Sequence, residues 1–401
     1  MNILVLNCGS SSVKYKLIEI KANKILAEGG IEKIGLPDAF NKLKFNGKKI
    51  EQPLDITDHQ GAIKAILENL TSADYGCIKS YDEIDAVGHR IVHGGEKFSK
   101  SMLISDDVIA IIKECYSIAP LHNPVNMAGV EAISSVLPQV PQVGVFDTAF
   151  HQTMPQKAYM YAIPYNYYKE DHVRRYGFHG TSHRYVSQRV CEFLGVKPEE
   201  QRIITCHIGN GASISAVLNG KSIDTSMGLT PTEGLMMGTR TGDIDPGAML
   251  FLMEKHNLSA KEMLDIINKK SGVAGVTGIS PDMREICAAA DAGDEKAKLS
   301  LDMYAHRITK YIGAYAAEMN GVDIIVFTGG VGEHQQFTRA DVCSTLGFMG
   351  VEIDEAINNA NNGDEEIISS TNSKVKVVVI PTDEEYMIAK DTEAIVEGRE
   401  P

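Results

Sequence analysis

Several features are missing from this chain of 401 residues. No stretch approaches the roughly 20 apolar residues that span a bilayer, so a membrane-embedded protein is not expected. The seven cysteines are scattered and contain no Cys-x-x-Cys pair, which argues against a zinc site or a disulfide framework and points to a reducing, cytoplasmic setting. Lys and Arg number 39 against 53 Asp and Glu, for a formal net charge of −14. With no basic run beyond pairs such as Lys48-Lys49 and Arg174-Arg175, no nucleic-acid partner is expected. Low-complexity segments are absent. The N-terminal apolar run has no basic flank and reads as a first strand rather than a leader.

What is present is an ordinary globular composition, 43% hydrophobic. At about 150 residues per domain the length suggests two or three domains. Apolar strand-like runs alternate with amphipathic stretches, the pattern of an α/β protein. Strands are predicted at 3–6, 15–20, 86–87, 143–146, 203–206, 213–217, 324–327 and 375–380. Helices are predicted at 107–117, 124–136, 182–194, 260–269 and 296–319. The polar stretch 358–366 reads as a solvated loop or a frayed helix end.

An internal echo stands out. LVLNCGSSS at 4–12 leads into a second strand, and ITCHIGNGA at 204–212 does the same. In register, Asn7 matches His207, Gly9 matches Gly209 and Ser11 matches Gly211. Either two unrelated hairpins or a duplicated domain with a cleft between its copies gives this pattern. Small-residue turns let backbone N–H groups close on a phosphate, and 329–332 supplies a third. The standard nucleotide fingerprints fail. A P-loop ending at 220–222 needs Gly where Ser215 stands, and the two Gly-x-Gly turns meet Ile214 and Gln335 where the dinucleotide motif needs Gly.

Eight segments, in order, resemble the acetokinase family: NCGSSSVK (7–14), GHRIVHGG (88–95), FDTAFH (146–151), RYGFHGTSH (175–183), HIGNG (207–211), MGTRTGD (237–243), DMR (282–284) and PTDEE (381–385). The family lies in the actin/sugar-kinase/Hsp70-like superfamily. The resemblance implies an α/β protein of duplicated actin-like ATPase (ribonuclease H-like) domains with an interdomain cleft: 1–149 plus 384–401, and 150–383. It implies reversible, Mg²⁺-dependent, direct in-line transfer of the γ-phosphoryl group of ATP to acetate, with Mn²⁺ as a substitute metal, in a cytoplasmic homodimer. Closure of the cleft would hold acetate-free ATP hydrolysis far below kinase turnover.

The same resemblance assigns residues. Arg90 would bind the carboxylate, while Arg240 and His179 would stabilise the transferring phosphoryl group. Asp147 matches the family's proton donor or acceptor, but acetate is already ionised at neutral pH, so orienting Arg90 or a metal-bound water is an equally good role. Val92, Leu121, Phe178 and Pro231 match the acid pocket. Lys14, the segment His207, Ile208, Gly209, Asn210 and Gly211, then Asp282, Met283 and Arg284, and finally Gly329, Gly330, Val331, Gly332 and Glu333 match the ATP segments. Asn7 and Glu384 match the metal positions. Asp383 stands where the family often has Asn. A pocket this small discriminates one methylene by only ~1–3 kcal/mol, so propionate or butyrate remains an alternative acid. A nucleotide-switched non-kinase is the alternative of a different class.

Overall fold

The first apolar run folds into β1 (Asn2–Gly9), and the chain turns back at once into β2 (Ser12–Glu19). The computed structural model describes residues 1–45, 48–120 and 122–401. They divide into two units, Met1–Gln152 with Asp383–Pro401, and Thr153–Thr382.

The first unit adds β3 (Lys24–Glu32), β4 (Phe40–Phe45), β5 (Lys48–Pro53), β6 (Ala86–Ile91), β7 (Met102–Leu103) and β8 (Gln142–Phe146) to one sheet, in the order β5-β4-β3-β2-β1-β6-β8-β7. Alternate residues of a strand face opposite sides, and β1 is buried on both. Leu4 and Leu6 pack with Ile63, Ile66 and Leu67 of the helix His59–Leu70 and with Ile133 of the helix Asn123–Val136. Ile3 and Val5 pack with Ile388 and Ala389 of the last helix, Glu384–Val396. Burial on both faces is why β1 reads as a continuous apolar run rather than an alternation.

The second unit carries β9 (Arg202–Ile208), β10 (Ala212–Leu218), β11 (Lys221–Thr225), β12 (Ile324–Thr328), β13 (Glu366–Ile367) and β14 (Lys376–Val379), in the order β11-β10-β9-β12-β14-β13. Its first five positions repeat the first unit strand for strand. β3-β2-β1 and β11-β10-β9 are antiparallel runs. β1-β6-β8 and β9-β12-β14 are parallel. The echo in the sequence is therefore a duplicated fold. The two turns differ by one residue: Gly9 pairs with Ser12, whereas Ile208 pairs with Ala212.

Every predicted strand and helix is present, most with shifted ends. β3, β4, β5, β7, β11 and β13 were not expected: in β3, β4 and β5 lysines and glutamates on one face dilute the apolar signal, and β7 and β13 are two residues long. The stretch 358–366 is the end of the helix Glu355–Ala360 running into a loop, with 359, 360, 362 and 364 exposed, but Asn358 and Asn361 within it are only 1% and 2% exposed. The cause is Arg339, fully buried, whose guanidinium takes Asn358 Oδ1 at 2.8 Å and the Asn358 carbonyl at 3.1 Å.

Candidate functional site

In the first unit the candidate residues gather at the C-terminal ends of three adjacent parallel strands, the edge where open α/β sheets place their chemistry. Asn7 lies near the end of β1, Arg90 near the end of β6, and Asp147 just past β8. Arg90 grips Asp147 with two nitrogens, Nε at 3.0 Å from Oδ1 and Nη2 at 2.6 Å from Oδ2, and Nη1 lies 3.4 Å from Asn7 Oδ1. Burial works against the Arg90 charge, but Asp147 outweighs it and holds the guanidinium above its usual range. Glu384 opens the last helix. Burial pushes its carboxyl up to about 7. Arg90 opposes that rise, while Asp147, Glu385 and Asp383 add to it.

An enclosed carboxyl crowded by other carboxylates suits a cation. Among the described residues no three His, Cys, Asp or Glu side chains gather as a metal cage. A hard divalent ion that keeps its waters and phosphate oxygens needs only one or two protein oxygens, and the Asn7 amide oxygen and the Glu384 carboxylate are the candidates that the family resemblance names. Lys14 sits on β2 opposite Asn7. Val92 follows β6 and is buried. Its N–H donates to Asn126 Oδ1 at 3.0 Å, and that of His93 donates to Asn123 Oδ1 at 3.1 Å. These two buried asparagines, which hang the loop after β6 on a helix, carry no pattern a sequence reading could have found. Leu121 lies outside the described residues.

In the second unit two turns lie side by side. One is 209–211 between β9 and β10. The other is the short helix Gly329–His334 after β12, entered through Gly329 at φ 76°. A Cβ on Gly209 would come within 4.0 Å of the Gly330 nitrogen. Glu333 points into the protein: its Oε1 accepts from the N–H of Gly329 at 2.7 Å and of Thr382 at 3.1 Å. Arg339 holds the carbonyls of Gly332 at 2.9 Å and Glu333 at 2.7 Å. The turns open on a cavity of about 760 Å³ lined by Gly209, Asn210, Gly238, Pro281, Asp282, Met283, Arg284, Tyr304, Gly330, Val331, His334, Gln335 and Asn362. Asp282 caps the helix Met283–Asp291. Of the expected nucleotide segments, this cavity collects Gly209, Asn210, 282–284, Gly330 and Val331. Ile208 is buried in the core.

Beside the 209–211 turn, His179 takes a left-handed backbone, φ 55°, at the start of the helix Gly180–Leu194. Its ring stacks on His207 with centroids 4.3 Å apart, and Nδ1 lies 2.9 Å from Ser213 Oγ. Arg240 donates from Nη1 to the Pro231 carbonyl at 3.1 Å. Burial draws its pKa below the usual range, and no carboxylate of the described residues forms an ion pair with it. A Cβ placed on Gly211 would lie 3.4 Å from Arg240 Nη1 and 3.6 Å from His179 Nε2. Both groups therefore face one spot on the turn. Phe178 is buried nearby in sequence. Arg175 ties this region together: Nη1 donates to the carbonyls of Thr225, Ser226 and Met227, and Nη2 reaches Glu233 Oε1 at 2.6 Å.

Comparison with known proteins places the chain in a family. The acetokinase family model matches residues 2–390. An acetate kinase of Phocaeicola vulgatus is 63% identical over 99% of this chain and 100% of its own. The crystal structure of Porphyromonas gingivalis acetate kinase superposes with a TM-score of 0.96 at 58% identity, covering 98% of this chain and 99% of that one. A propionate kinase from Francisella tularensis gives a TM-score of 0.91 at 42% identity, covering 98% and 99%. With two repeated α/β units, a glycine-turn cavity in one and a carboxylate-gripped arginine in the other, the chain belongs to the acetokinase family.

Proposed function

We propose that this protein is an ATP:acetate phosphotransferase, moving the γ-phosphoryl group of ATP to acetate and back by direct in-line transfer, with Mg²⁺ or Mn²⁺ held by Asn7 and Glu384. The observation that carries the reading is Arg240, a largely enclosed guanidinium that no carboxylate of the described residues pairs with, aimed with His179 at the glycine turn. A cation kept out of water without a counter-ion is costly, and a transferring phosphoryl group supplies the missing charge. The metal, when bound, neutralises charge on the nucleotide phosphates.

The protein's own groups do the rest. Arg90 is locked by Asp147 and offers its remaining N–H groups to the acid as a planar fork. Acetate arrives ionised, so its oxygen needs no base. The two-point grip on Arg90 supports an orienting role for Asp147. Lys14 and the turns 207–211 and 329–333 serve the phosphates, with Glu333 acting as the pin that shapes its turn. The segment 282–284 serves the nucleoside. By the family resemblance, Val92 of the first unit and Phe178 and Pro231 of the second are assigned to recognising the methyl group.

An acetate-dependent hydroxamate assay tests the reading: product forms only with acetate, ATP and Mg²⁺ together. A chain that hydrolyses ATP equally fast without acetate is the nucleotide-switched alternative. The resemblance to a propionate kinase gives the second reading, and kcat/KM across acetate, propionate and butyrate, highest for acetate, separates the two. Two further assignments are a homodimer and a cytoplasmic location. The helix Pro246–His256 buries none of its residues, although Leu250 is 65% and Phe251 is 60% exposed, which suits a second copy. The seven cysteines are all free thiols, which suits a reducing compartment.

A further inference from the structure

Asp147 grips Arg90 with two nitrogens, but no carboxylate of the described residues pairs with Arg240. Its Nη1 donates to the Pro231 carbonyl at 3.1 Å and lies 3.8 Å from the Met237 sulfur. The aim of this guanidinium therefore depends on the main chain that carries it.

That main chain is a closed loop. The Asp243 N–H donates to the Gly234 carbonyl at 2.9 Å, and the Gly234 N–H donates back to Asp243 Oδ1 at 2.8 Å, so residues 234–243 meet at a neck. Gly242, at φ 66°, lets the two limbs close: a Cβ there would run into the carbonyls of Gly234 and Leu235. Within the loop the Met237 N–H donates to the Arg240 carbonyl at 3.1 Å. The helix Glu295–Glu318 clasps the neck from outside with Arg307 and Tyr311, one turn apart on one face. The Tyr311 hydroxyl donates to Asp243 Oδ2 at 2.9 Å. Arg307 Nη1 lies 3.3 Å from the same oxygen and donates to the Gly234 carbonyl at 3.0 Å.

The far side of the loop is tied by backbone bonds, Val273 N–H to the Met237 carbonyl at 2.9 Å and Ser271 N–H to the Thr239 carbonyl at 3.0 Å. Side-chain changes leave those intact, whereas the neck is held by side chains. The Asp243 side chain is 39% exposed, so its ion pair adds little stability by itself. What the carboxylate supplies is geometry: it bridges the neck to the helix.

We propose that Asp243, clasped by Tyr311 and Arg307, is a positioning residue that holds the loop so that Arg240 is aimed before the phosphoryl group arrives. This rests on the phosphotransfer reading for its purpose, not for its geometry. None of the three needs to touch substrate. A guanidinium without a counter-ion follows its backbone, and a shift of about 1 Å at a reacting centre costs on the order of 100-fold in rate.

The test is steady-state kinetics of Asp243→Ala, Asp243→Asn and Tyr311→Phe, with Asp243→Ala also combined with Arg240→Ala, and crystal structures of the wild type and Asp243→Ala. Asp243→Ala lowers kcat on the order of 10- to 100-fold, with KM for ATP and acetate each within about 3-fold and cooperative melting retained. Tyr311→Phe acts the same way by less. Asp243→Asn, which keeps an oxygen for the Gly234 N–H, recovers most of the turnover. Combined with Arg240→Ala, Asp243→Ala costs less than about 2-fold more, since no guanidinium is left to misplace. In the variant crystal Arg240 leaves the Pro231 carbonyl. Losses that multiply in the double variant, or an Arg240 that stays in place in the Asp243→Ala crystal, overturn the proposal. A wild type without acetate-dependent turnover, with Arg240 displaced in that crystal, overturns the phosphotransfer reading and leaves the clasp standing.

Discussion

Arg90 and Arg240 carry the same charge in opposite company. Arg90 is neutralised by Asp147 before any substrate arrives, whereas among the described residues Arg240 bonds the Pro231 carbonyl and the Met237 sulfur and no carboxylate. The first suits ground-state binding and the second suits charge that develops in transit. Arg240→Ala is therefore expected to lower kcat on the order of 100- to 1,000-fold with KM for either substrate little changed; steady-state kinetics check this, and a pure KM effect would contradict it. Glu384 gives a pH prediction. A glutamate freely exposed to water titrates at 4.5, and Glu384 in the folded, metal-free protein at about 7. The folded protein holds the extra proton between those values, so the contribution to stability is complete below 4.5 and is lost as pH rises through 7. Glu384→Gln should remove that loss. Melting curves of the two metal-free proteins should diverge in favour of the variant as pH rises toward neutrality, and parallel curves would rule the assignment out. The motif residues were legible because each lies in a short local string. The isolation of Arg240 and the grip of Asp147 on Arg90 were not, since both depend on what distant segments place alongside.

At the scale of elements, the strand-turn-strand echo was readable because backbone approach to a phosphate leaves small residues in the sequence. The props behind those turns were not. Arg339, Arg175, Asn123 and Asn126 act largely on backbone groups, and backbone groups leave no trace in residue identity. The turn itself offers a sharp test. Gly211 does not require a left-handed backbone, and an added Cβ there meets only ordinary van der Waals distances. Gly211→Ala should thus change unfolding free energy by less than about 1 kcal/mol. The methyl would nevertheless occupy the spot that Arg240 and His179 face, so kcat should fall on the order of 100-fold. Urea unfolding and kinetics on one preparation decide. A fully active, equally stable variant would show that the reacting phosphoryl group sits elsewhere.

For the whole molecule, duplication accounts for both sheets having the same five-strand core, and sequence alone showed it only through one hairpin in each half. The edge strands and the exposed helix Pro246–His256 were not foreseen, because charged edge strands and exposed apolar helices both break the usual rule of apolar-inside. A chain with net charge −14 has reason to repel its own copies, so association must come from local apolar surface. The double change Leu250→Glu and Phe251→Glu should convert a dimer, twice the chain mass by light scattering, to a monomer with its circular dichroism intact. An unchanged dimer would place the interface on another face.

The central claim is that Arg240 and His179 wait for the phosphoryl group in flight. A crystal structure with ADP, Mg²⁺, acetate and a planar metal-fluoride mimic of that group tests it most directly. The Arg240 guanidinium and His179 Nε2 should each lie within hydrogen-bond distance, about 3 Å, of an equatorial fluoride. An Arg240 still turned to the Pro231 carbonyl, with the fluoride plane out of its reach, would contradict the account.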